Sequence, residues 1–396
     1  MNRLSLRPWP LLRLLAALAL VAVPILTFWN LHLINKGRRP ITFAQPLVGV
    51  TLNQKIEWSW QAFLKGDLQK AISERVIEAI PTRYFLVRLN NELRFRFFDE
   101  PSIPDLFIGA GRQLSAKTYL NEYCQRRSGL AKERAETVLP ALLQIQSHYQ
   151  ANNAVFIYLI TPSKIAHLPQ HFVDRWPCRS SEAERAGFVP EYVAYLRAKG
   201  IIVVDAAGLV HGLKTALKTD LFPPGGIHWD QLGAGNAMLA VVDEINRQAQ
   251  TALVARPSLT YSKSSDIPPT DRDLAELMNV LWPPIDYKIP RVQFQRERPC
   301  SGRPEQTIKA AIVGSSFSNT IAEQLIEGTC LTNLRLFFYL MLETYGGSPF
   351  RVLQKNPTNA DLDSLRHVQI MIMEENESFA GQSNFIEALR KLIATR

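Results

Sequence analysis

Two short segments carry side chains suited to nucleophilic chemistry. Ser316 lies in the turn GSSFS, which follows the apolar run IKAAIV and precedes a helical pattern. A turn of this kind sits at the carboxyl end of a strand, where free backbone N–H groups can stabilise an oxyanion. His228 lies in GGIHW, before another helical pattern, and its ordinary pKa suits a general base. Together they predict a serine nucleophile activated by a histidine.

Taken separately, each residue also has a purely structural interpretation. Serine is a common helix N-cap, so Ser316 could simply begin a helix. His228 could be a half-buried side chain that bonds locally, with Trp229 packed beside it. For either residue alone, the structural interpretation is favoured. The functional hypothesis therefore depends on the two residues acting as a pair.

The elements that must position this pair alternate along the chain. Short apolar runs rich in β-formers are separated by amphipathic helical patterns, which indicates crossover units and a mostly parallel sheet. The predicted strands begin near residues 154, 201, 308 and 368, and the predicted helices cover 131–150, 182–198, 231–250 and the stretches after 318 and 384.

The N-terminal region predicts a membrane anchor. Residues 14–29 are apolar except for Thr27, follow three arginines, and would span about 24 Å as a helix. No small-residue pair follows the run at cleavage spacing, so we expect an uncleaved single-pass anchor over residues 1–32.

A tether and helical extension would cover 33–100, with Trp60 and Phe63 on one apolar stripe together with Ile56. The main α/β domain would cover 101–396, with a proline-rich insertion at about 252–305, and would face outward.

The cysteines and the charge narrow the possible partners. Cys124 with Cys178 and Cys300 with Cys330 is the favoured disulfide pairing, and four buried free thiols are the alternative. No cysteine or histidine pair has zinc spacing, and no metal or cofactor is expected. The net charge is +9, but the basic residues are scattered rather than clustered with aromatics. Nucleic acid is therefore not an expected partner.

The two segments resemble paired motifs of a known family. IVGSSFS resembles the nucleophile turn G-[TD]-S-[YF]-S, and GIHW with its following Gly-Ala resembles D-x-H-W-x-x-x-G-A, of the AlgX and AlgJ type alginate O-acetyltransferases in the SGNH hydrolase superfamily. The histidine motif precedes the serine motif, as in that branch. The segments LFIGAGRQLS, YLITPSK, IIVVDAAGLV and IMIMEENESF are similar to further family segments in the same order. The resemblance implies an SGNH-like three-layer α/β/α sandwich behind one membrane helix.

The resemblance also implies roles for residues of this chain. Ser316 would carry the acetyl group, His228 would be the base, and the backbone N–H of Ser316 with Asn319 would meet the oxyanion. Arg335 and Tyr339 could line the acceptor site, although their segment is apolar enough to be mainly core. Lys164 could bind a carboxylated sugar, but a solvated loop lysine is the favoured interpretation.

The implied activity is acetylation of a polysaccharide in the periplasm or outside the cell. The chain would be held in the inner membrane. A multispanning membrane O-acyltransferase would bring the acetyl group across the membrane, because one span cannot carry it. The alternatives are a non-catalytic polysaccharide-binding or scaffold subunit, and an acetylesterase.

The chain departs from the family pattern at the site itself. The family aspartate lies two residues before the histidine, and Gly226 occupies that position here. Loss of this carboxylate costs about four orders of magnitude in rate in serine proteases. Three explanations remain open: a Ser-His dyad oriented by a backbone carbonyl, a replacement carboxylate such as Asp230 or Glu374, or a fold kept without catalysis.

Overall fold

The computed structural model describes residues 8–50, 58–297, 299–300 and 302–394. The chain divides into two compact units. The N-terminal unit comprises Met1–Pro104 and Ala275–Pro284, and the α/β unit comprises Asp105–Leu274 and Ile285–Arg396.

The N-terminal unit is helical. Its helices are α1 (Pro8–Asn35), α2 (Trp60–Lys65), α3 (Asp67–Ala79) and α4 (Arg83–Phe98). Residues Leu12–Asn35 of α1 form a helix long and apolar enough to cross a membrane. The buried side chain of Asn30 donates to the carbonyls of Ile41 and Ala79, so the last turns of α1 are fastened to the end of α3.

The predicted apolar stripe of this unit is exposed. Trp60 is 67% exposed and Phe63 is 45% exposed, and the two rings contact each other edge to face. Ile56, the third predicted member, lies outside the described residues. The described part of the stripe is therefore surface rather than core.

The α/β unit is built on a seven-stranded sheet of order β10-β9-β8-β7-β11-β3-β4. Pairing is parallel from β8 to β4 and antiparallel from β8 to β10, so the sheet is mostly parallel, as predicted. Two small antiparallel sheets of two strands each, β1-β2 and β5-β6, lie outside it. The strands are β1 (Leu106–Ile108), β2 (Leu114–Ala116), β3 (Val155–Thr161), β4 (Val203–Asp205), β5 (Ser258–Ser264), β6 (Ile289–Gln295), β7 (Ala310–Gly314), β8 (Leu334–Phe338), β9 (Glu343–Gly346), β10 (Arg351–Lys355) and β11 (Ile370–Asn376).

Helices cover both faces of the sheet. They are α5 (Lys117–Cys124), α6 (Leu130–Ala151), α7 (Lys164–His167), α8 (Glu182–Ala198), α9 (Ala206–Leu217), α10 (Gln231–Ala249), α11 (Asp273–Leu277), α12 (Ser318–Gly328), α13 (Asn359–Ser364) and α14 (Asn384–Ala394). Alternate residues of β3, including Phe156 and Tyr158, join α6, α8 and α14 in one buried core. On the other face α10 packs against α12, where Gln324 donates to the carbonyl of Gln231. The result is the predicted three-layer sandwich.

Two parts of this unit differ from the sequence expectation. The proline-rich insertion is not only a loop, because β5 and β6 pair over seven residues each within it. The apolar segment after α12 forms β8, which continues into the antiparallel strands β9 and β10. Most residues of β5 and β10 are exposed and aperiodic, so neither strand gave a local pattern. β8 is apolar and largely buried, and its pairing depends on distant strands.

The cysteine pairing is confirmed. Cys124 is bonded to Cys178 and Cys300 to Cys330, across sequence separations of 54 and 30 residues. Both bonds lie in the α/β unit.

Replacing either pair by alanine should lower the free energy of unfolding by about 4 kcal/mol, because each bond removes loop-closure entropy from the unfolded chain. Denaturant unfolding of the Cys124→Ala/Cys178→Ala and Cys300→Ala/Cys330→Ala proteins measures the effect. Reducing agent breaks both bonds, so it should destabilise the parent by about 8 kcal/mol and leave the protein lacking all four cysteines unchanged. Equal stability of the parent and both variants would contradict the prediction.

Candidate active site

His228 and Ser316 meet at the carboxyl edge of the sheet. Ser316 lies in the turn between β7 and α12, and His228 lies just before α10. Nε2 of His228 is 2.8 Å from Oγ of Ser316. The indole N–H of the fully buried Trp229 donates to the carbonyl of Phe317 at 3.0 Å. Consecutive residues of the histidine segment therefore hold consecutive residues of the serine turn.

Asp273 supplies a carboxylate on the other side of the imidazole. Oδ2 of Asp273 is 3.0 Å from Nδ1 of His228, although the ring N–H is not aligned well enough for a full hydrogen bond. Oδ1 accepts the backbone N–H groups of Ile227 at 3.0 Å and Leu274 at 2.8 Å. The carboxylate is thus fixed by the residue next to the histidine that it faces. Ser316, His228 and Asp273 have the arrangement of a Ser-His-Asp triad.

Gly226 is explained by the path of the segment that carries Asp273. A Cβ atom at Gly226 would lie 2.8 Å from both the carbonyl carbon and the oxygen of Asp271. No side chain fits there unless that backbone moves. The sequence analysis missed Asp273 because it lies in the proline-rich insertion, at no fixed spacing from His228. The polar run PPTDRD was the only local signal.

The electrostatics of the histidine are set by burial and by nearby carboxylates. Burial is the largest single effect and lowers the pKa of His228. The contact with Asp273 and its charge, the backbone of Thr270 and the charge of Asp271 together outweigh burial, so the pKa is raised. Burial raises the pKa of the neighbouring Asp271 to about 7. Asp273 therefore favours the imidazolium form of His228, in which both Nδ1 and Nε2 carry a proton. His228 would take this form on accepting the serine proton.

The two replacement carboxylates considered from the sequence are engaged elsewhere. Asp230 caps α10, with Oδ1 accepting the N–H groups of Leu232 and Gly233 at 2.9 Å each. Glu374, fully buried at the end of β11, accepts the N–H of Ser315 at 2.7 Å and the Ser315 hydroxyl. Burial raises the pKa of Glu374 to about 7. Glu374 stabilises the nucleophile turn through Ser315 and does not orient the imidazole.

The favoured sequence interpretation of Lys164 is wrong. Its side chain is 1% exposed, and Nζ donates to the carbonyls of Leu114 at 2.7 Å and of three residues in the turn before His228, namely Pro223 at 2.7 Å, Pro224 at 2.9 Å and Gly226 at 2.8 Å. Burial lowers the pKa of Lys164 to about 7, opposed by the charges of Asp273 and Asp220. Four acceptors match an ammonium group, which has three donors, better than a neutral amine. Lys164 therefore fastens the turn that presents His228.

The remaining sequence candidates lie at different distances from the nucleophile. The Tyr339 hydroxyl is near Ser316: burial raises its pKa most, and the nearby Ser316 hydroxyl and backbone lower it. Tyr339 has φ of 45°, a left-handed conformation that is costly for an aromatic residue. Asn319 lies in the first turn of α12, and its Oδ1 is buried without a partner. Arg335 instead pairs with Asp361 at 2.9 Å.

A cavity of about 600 Å³ opens beside the nucleophile turn. Its lining includes Ser315, Tyr339 and residues from the end of β11 and the start of α14. Among the described residues, no group of three or more His, Cys, Asp or Glu side chains is arranged to hold a metal ion.

Lys164→Met should destabilise the α/β unit by at least about 3 kcal/mol, because four carbonyls would lose a charged donor in a buried site. Urea unfolding gives the free energy of unfolding. Lys214→Met is the matched control, because Lys214 is about a third exposed and donates to a single carbonyl. A Lys164→Met protein as stable as that control would contradict the positioning role.

Similar solved structures include the O-acetyltransferase domain of AlgJ from Pseudomonas putida (15% identity, TM-score 0.46, covering 73% of this chain and 99% of that one), AlgX from Pseudomonas aeruginosa (14%, 0.43, 73% and 66%) and PatB1 from Bacillus cereus (9%, 0.39, 64% and 92%). No match was found among curated protein sequences. The family model described as SGNH hydrolase-like domain, acetyltransferase AlgX, matches residues 119–326, more than half of the chain. The protein therefore belongs to the AlgX family of SGNH hydrolase-like acetyltransferase domains.

Proposed function

We propose that this protein is an O-acetyltransferase that modifies a polysaccharide outside the cytoplasm through an acetyl-serine intermediate at Ser316. The observation that carries the proposal is the 2.8 Å contact between His228 Nε2 and Ser316 Oγ, with Asp273 3.0 Å from the opposite ring nitrogen. Family membership supports an acetylation role.

In the first half-reaction Ser316 takes the acetyl group. His228 Nε2 accepts the hydroxyl proton while Oγ attacks the acetyl carbonyl carbon of the donor. The negative charge moves to the carbonyl oxygen, and the adjacent backbone N–H of Ser316 and the side chain of Asn319 are the proposed donors for it. The tetrahedral intermediate then collapses, the donor oxygen leaves with the proton from His228, and Ser316 carries an acetyl ester.

In the second half-reaction a sugar hydroxyl takes the acetyl group. The neutral His228 accepts the proton of that hydroxyl, and its oxygen attacks the acetyl carbonyl. Collapse of the second intermediate breaks the bond to Oγ, and His228 returns the proton to Ser316. The products are the sugar acetate and the free enzyme. Water in place of the sugar would give acetate, which is the esterase alternative.

The position of Asp273 bears on the non-catalytic alternative. That alternative was supported by Gly226, where the family aspartate is missing. A carboxylate on His228 Nδ1 removes this support, because the imidazole has an anionic partner from another segment. The spatial arrangement favours an enzyme over a scaffold subunit.

The proposed location follows from the N-terminal helix and the disulfides. We infer that α1 anchors the chain in the inner membrane by a single span, with the α/β unit in the periplasm. Two disulfides in the α/β unit fit an oxidising compartment. The acetyl group would then come from a multispanning O-acyltransferase.

Incubation of the full-length protein in detergent with 4-nitrophenyl acetate should acetylate Ser316. Mass spectrometry should find the acetyl group on the Ser316 peptide of the parent and of Ser258→Ala, a control on the exposed strand β5. Ser316→Ala and His228→Ala should release 4-nitrophenol at the background rate. Equal rates in all four proteins, without an adduct, would sink the catalytic proposal.

Asp273→Asn should lower the acylation rate by roughly three to four orders of magnitude, because the imidazole loses its anionic partner. Asp273 raises the pKa of His228, and activity requires the neutral imidazole, so activity rises with pH through that pKa. Without Asp273 the pKa falls, and the acidic limb of the pH–rate profile should move to lower pH. Measuring the rate between about pH 4 and 9 tests both effects, because this interval brackets the ordinary pKa of histidine.

The matched control is Asp266→Asn, because Asp266 is 85% exposed and pairs only with Arg291 in the same insertion. It should keep the parent rate and the parent pH profile. If Asp273→Asn behaves like this control, the carboxylate has no part in catalysis and the Ser-His dyad becomes the better account.

A further inference from the structure

The cavity beside the nucleophile turn has an unusual combination of size and charge. Its volume is about 600 Å³, within the usual range for small-molecule sites. None of its lining side chains, all of them in the described part of the chain, carries a formal charge: the lining consists of tyrosine, phenylalanine, methionine, alanine, serine and amide residues. This neutrality contrasts with the net charge of +9 of the whole chain.

The floor of the cavity is apolar and aromatic. Phe385 is buried, and Phe379 stands edge to face against Tyr119 with 4.9 Å between the ring centroids. The Tyr339 ring is 6.1 Å from Phe385 and projects toward Ser316. Aromatic faces of this kind pack against the C–H faces of sugar rings, which are apolar on one side and carry hydroxyls around the edge.

The rim of the cavity supplies uncharged hydrogen-bonding groups. Gln382 and Asn384 are exposed at the start of α14, and Met341 is 55% exposed on the opposite side. Amide groups both donate and accept, so they suit sugar hydroxyls. A uronate carboxylate in the same place would lose water without gaining a cationic partner, which disfavours its binding.

We propose that this cavity is the acceptor subsite, and that it selects a neutral sugar residue over a uronate. The inference rests on the proposed acetyl transfer, because it places the acceptor hydroxyl next to an acetyl group on Ser316. It deepens that proposal by assigning the substrate class: a glycan whose residue in the cavity carries hydroxyl or N-acetyl groups and no carboxylate.

A binding experiment tests the inference independently of the chemistry. Full-length Ser316→Ala protein in detergent is titrated calorimetrically with oligogalacturonate, with the same oligomer after methyl esterification, and with neutral cello-, manno- and N-acetylchito-oligosaccharides. Methyl esterification removes the charge and keeps the sugar. We expect at least one neutral oligomer to bind about tenfold or more tightly than oligogalacturonate. Tighter binding of the anionic oligomer, or binding of none of the neutral ones, would overturn the inference.

Two variants locate the binding. Phe379→Ala in the Ser316→Ala background should weaken neutral binding by about tenfold, equivalent to about 1.4 kcal/mol. Met341→Lys adds a cation to an exposed rim position that does not support the fold, and should improve oligogalacturonate binding by about tenfold. Tyr261→Ala, on the exposed strand β5, is the aromatic control and should change neither. If both cavity variants match this control, the sugar binds elsewhere.

Acetyl transfer then separates the two proposals. With Ser316 restored and 4-nitrophenyl acetate as donor, the acetyl-enzyme should discharge faster to the neutral oligomer that binds, and Phe379→Ala should raise the acceptor KM. An acetyl-enzyme that discharges equally to the neutral and anionic oligomers would refute the subsite and leave the acetyltransferase proposal standing. Neutral binding without an acetyl-serine would refute the acetyltransferase proposal and leave the sugar site.

Discussion

The arrangement of the site depends on the Asp273 carboxylate. One oxygen accepts two backbone N–H groups, including that of Ile227, and the other faces Nδ1 of His228. The same side chain therefore positions the backbone next to the histidine, and in the proposed mechanism it would stabilise the imidazolium that forms during proton transfer. Asp273 is about a quarter exposed, so exclusion of water from this edge of the sheet would strengthen its interaction with His228.

Around this carboxylate the fold uses buried polar groups to hold short turns. Lys164 donates to carbonyls before His228, and Trp229 donates to the carbonyl of Phe317. Glu374 accepts the backbone N–H and the hydroxyl of Ser315. Each of these groups would cost free energy if it lacked its partners. Their removal would therefore disturb the site more than the loss of an apolar contact of similar size, because turns have few other constraints.

The sequence was informative where the pattern was local. The strand and helix periods led to β3, β7, β11, α8 and α10 almost residue by residue, because buried parallel strands and amphipathic helices repeat over short distances. His228 and Ser316 were found because each lies beside a helix start with a recognisable motif. Their contact follows from the packing of the sheet and of α10 against α12, which no single segment encodes.

The sequence was uninformative where partners are distant along the chain. Asp273 contacts His228 from an insertion that has no periodic pattern. Lys164 has the sequence context of an ordinary loop lysine, and only the folded chain shows that it binds the turn before His228. A short amphipathic stripe could not show whether Trp60 was covered or exposed. These outcomes depend on which distant segments pack together, and the residue types of loops indicate little about those contacts.

The close approach of Gly226 to the backbone of Asp271 has an evolutionary consequence. An ancestor with aspartate at position 226 could not have had the present course of the insertion, since even a Cβ atom collides there. A change back to aspartate at 226 is blocked by the same collision, and loss of Asp273 alone leaves the imidazole without an anion. The two positions are therefore epistatic, and homologues should divide into those with an acidic residue at the first position and those with glycine there and an acidic residue in the insertion.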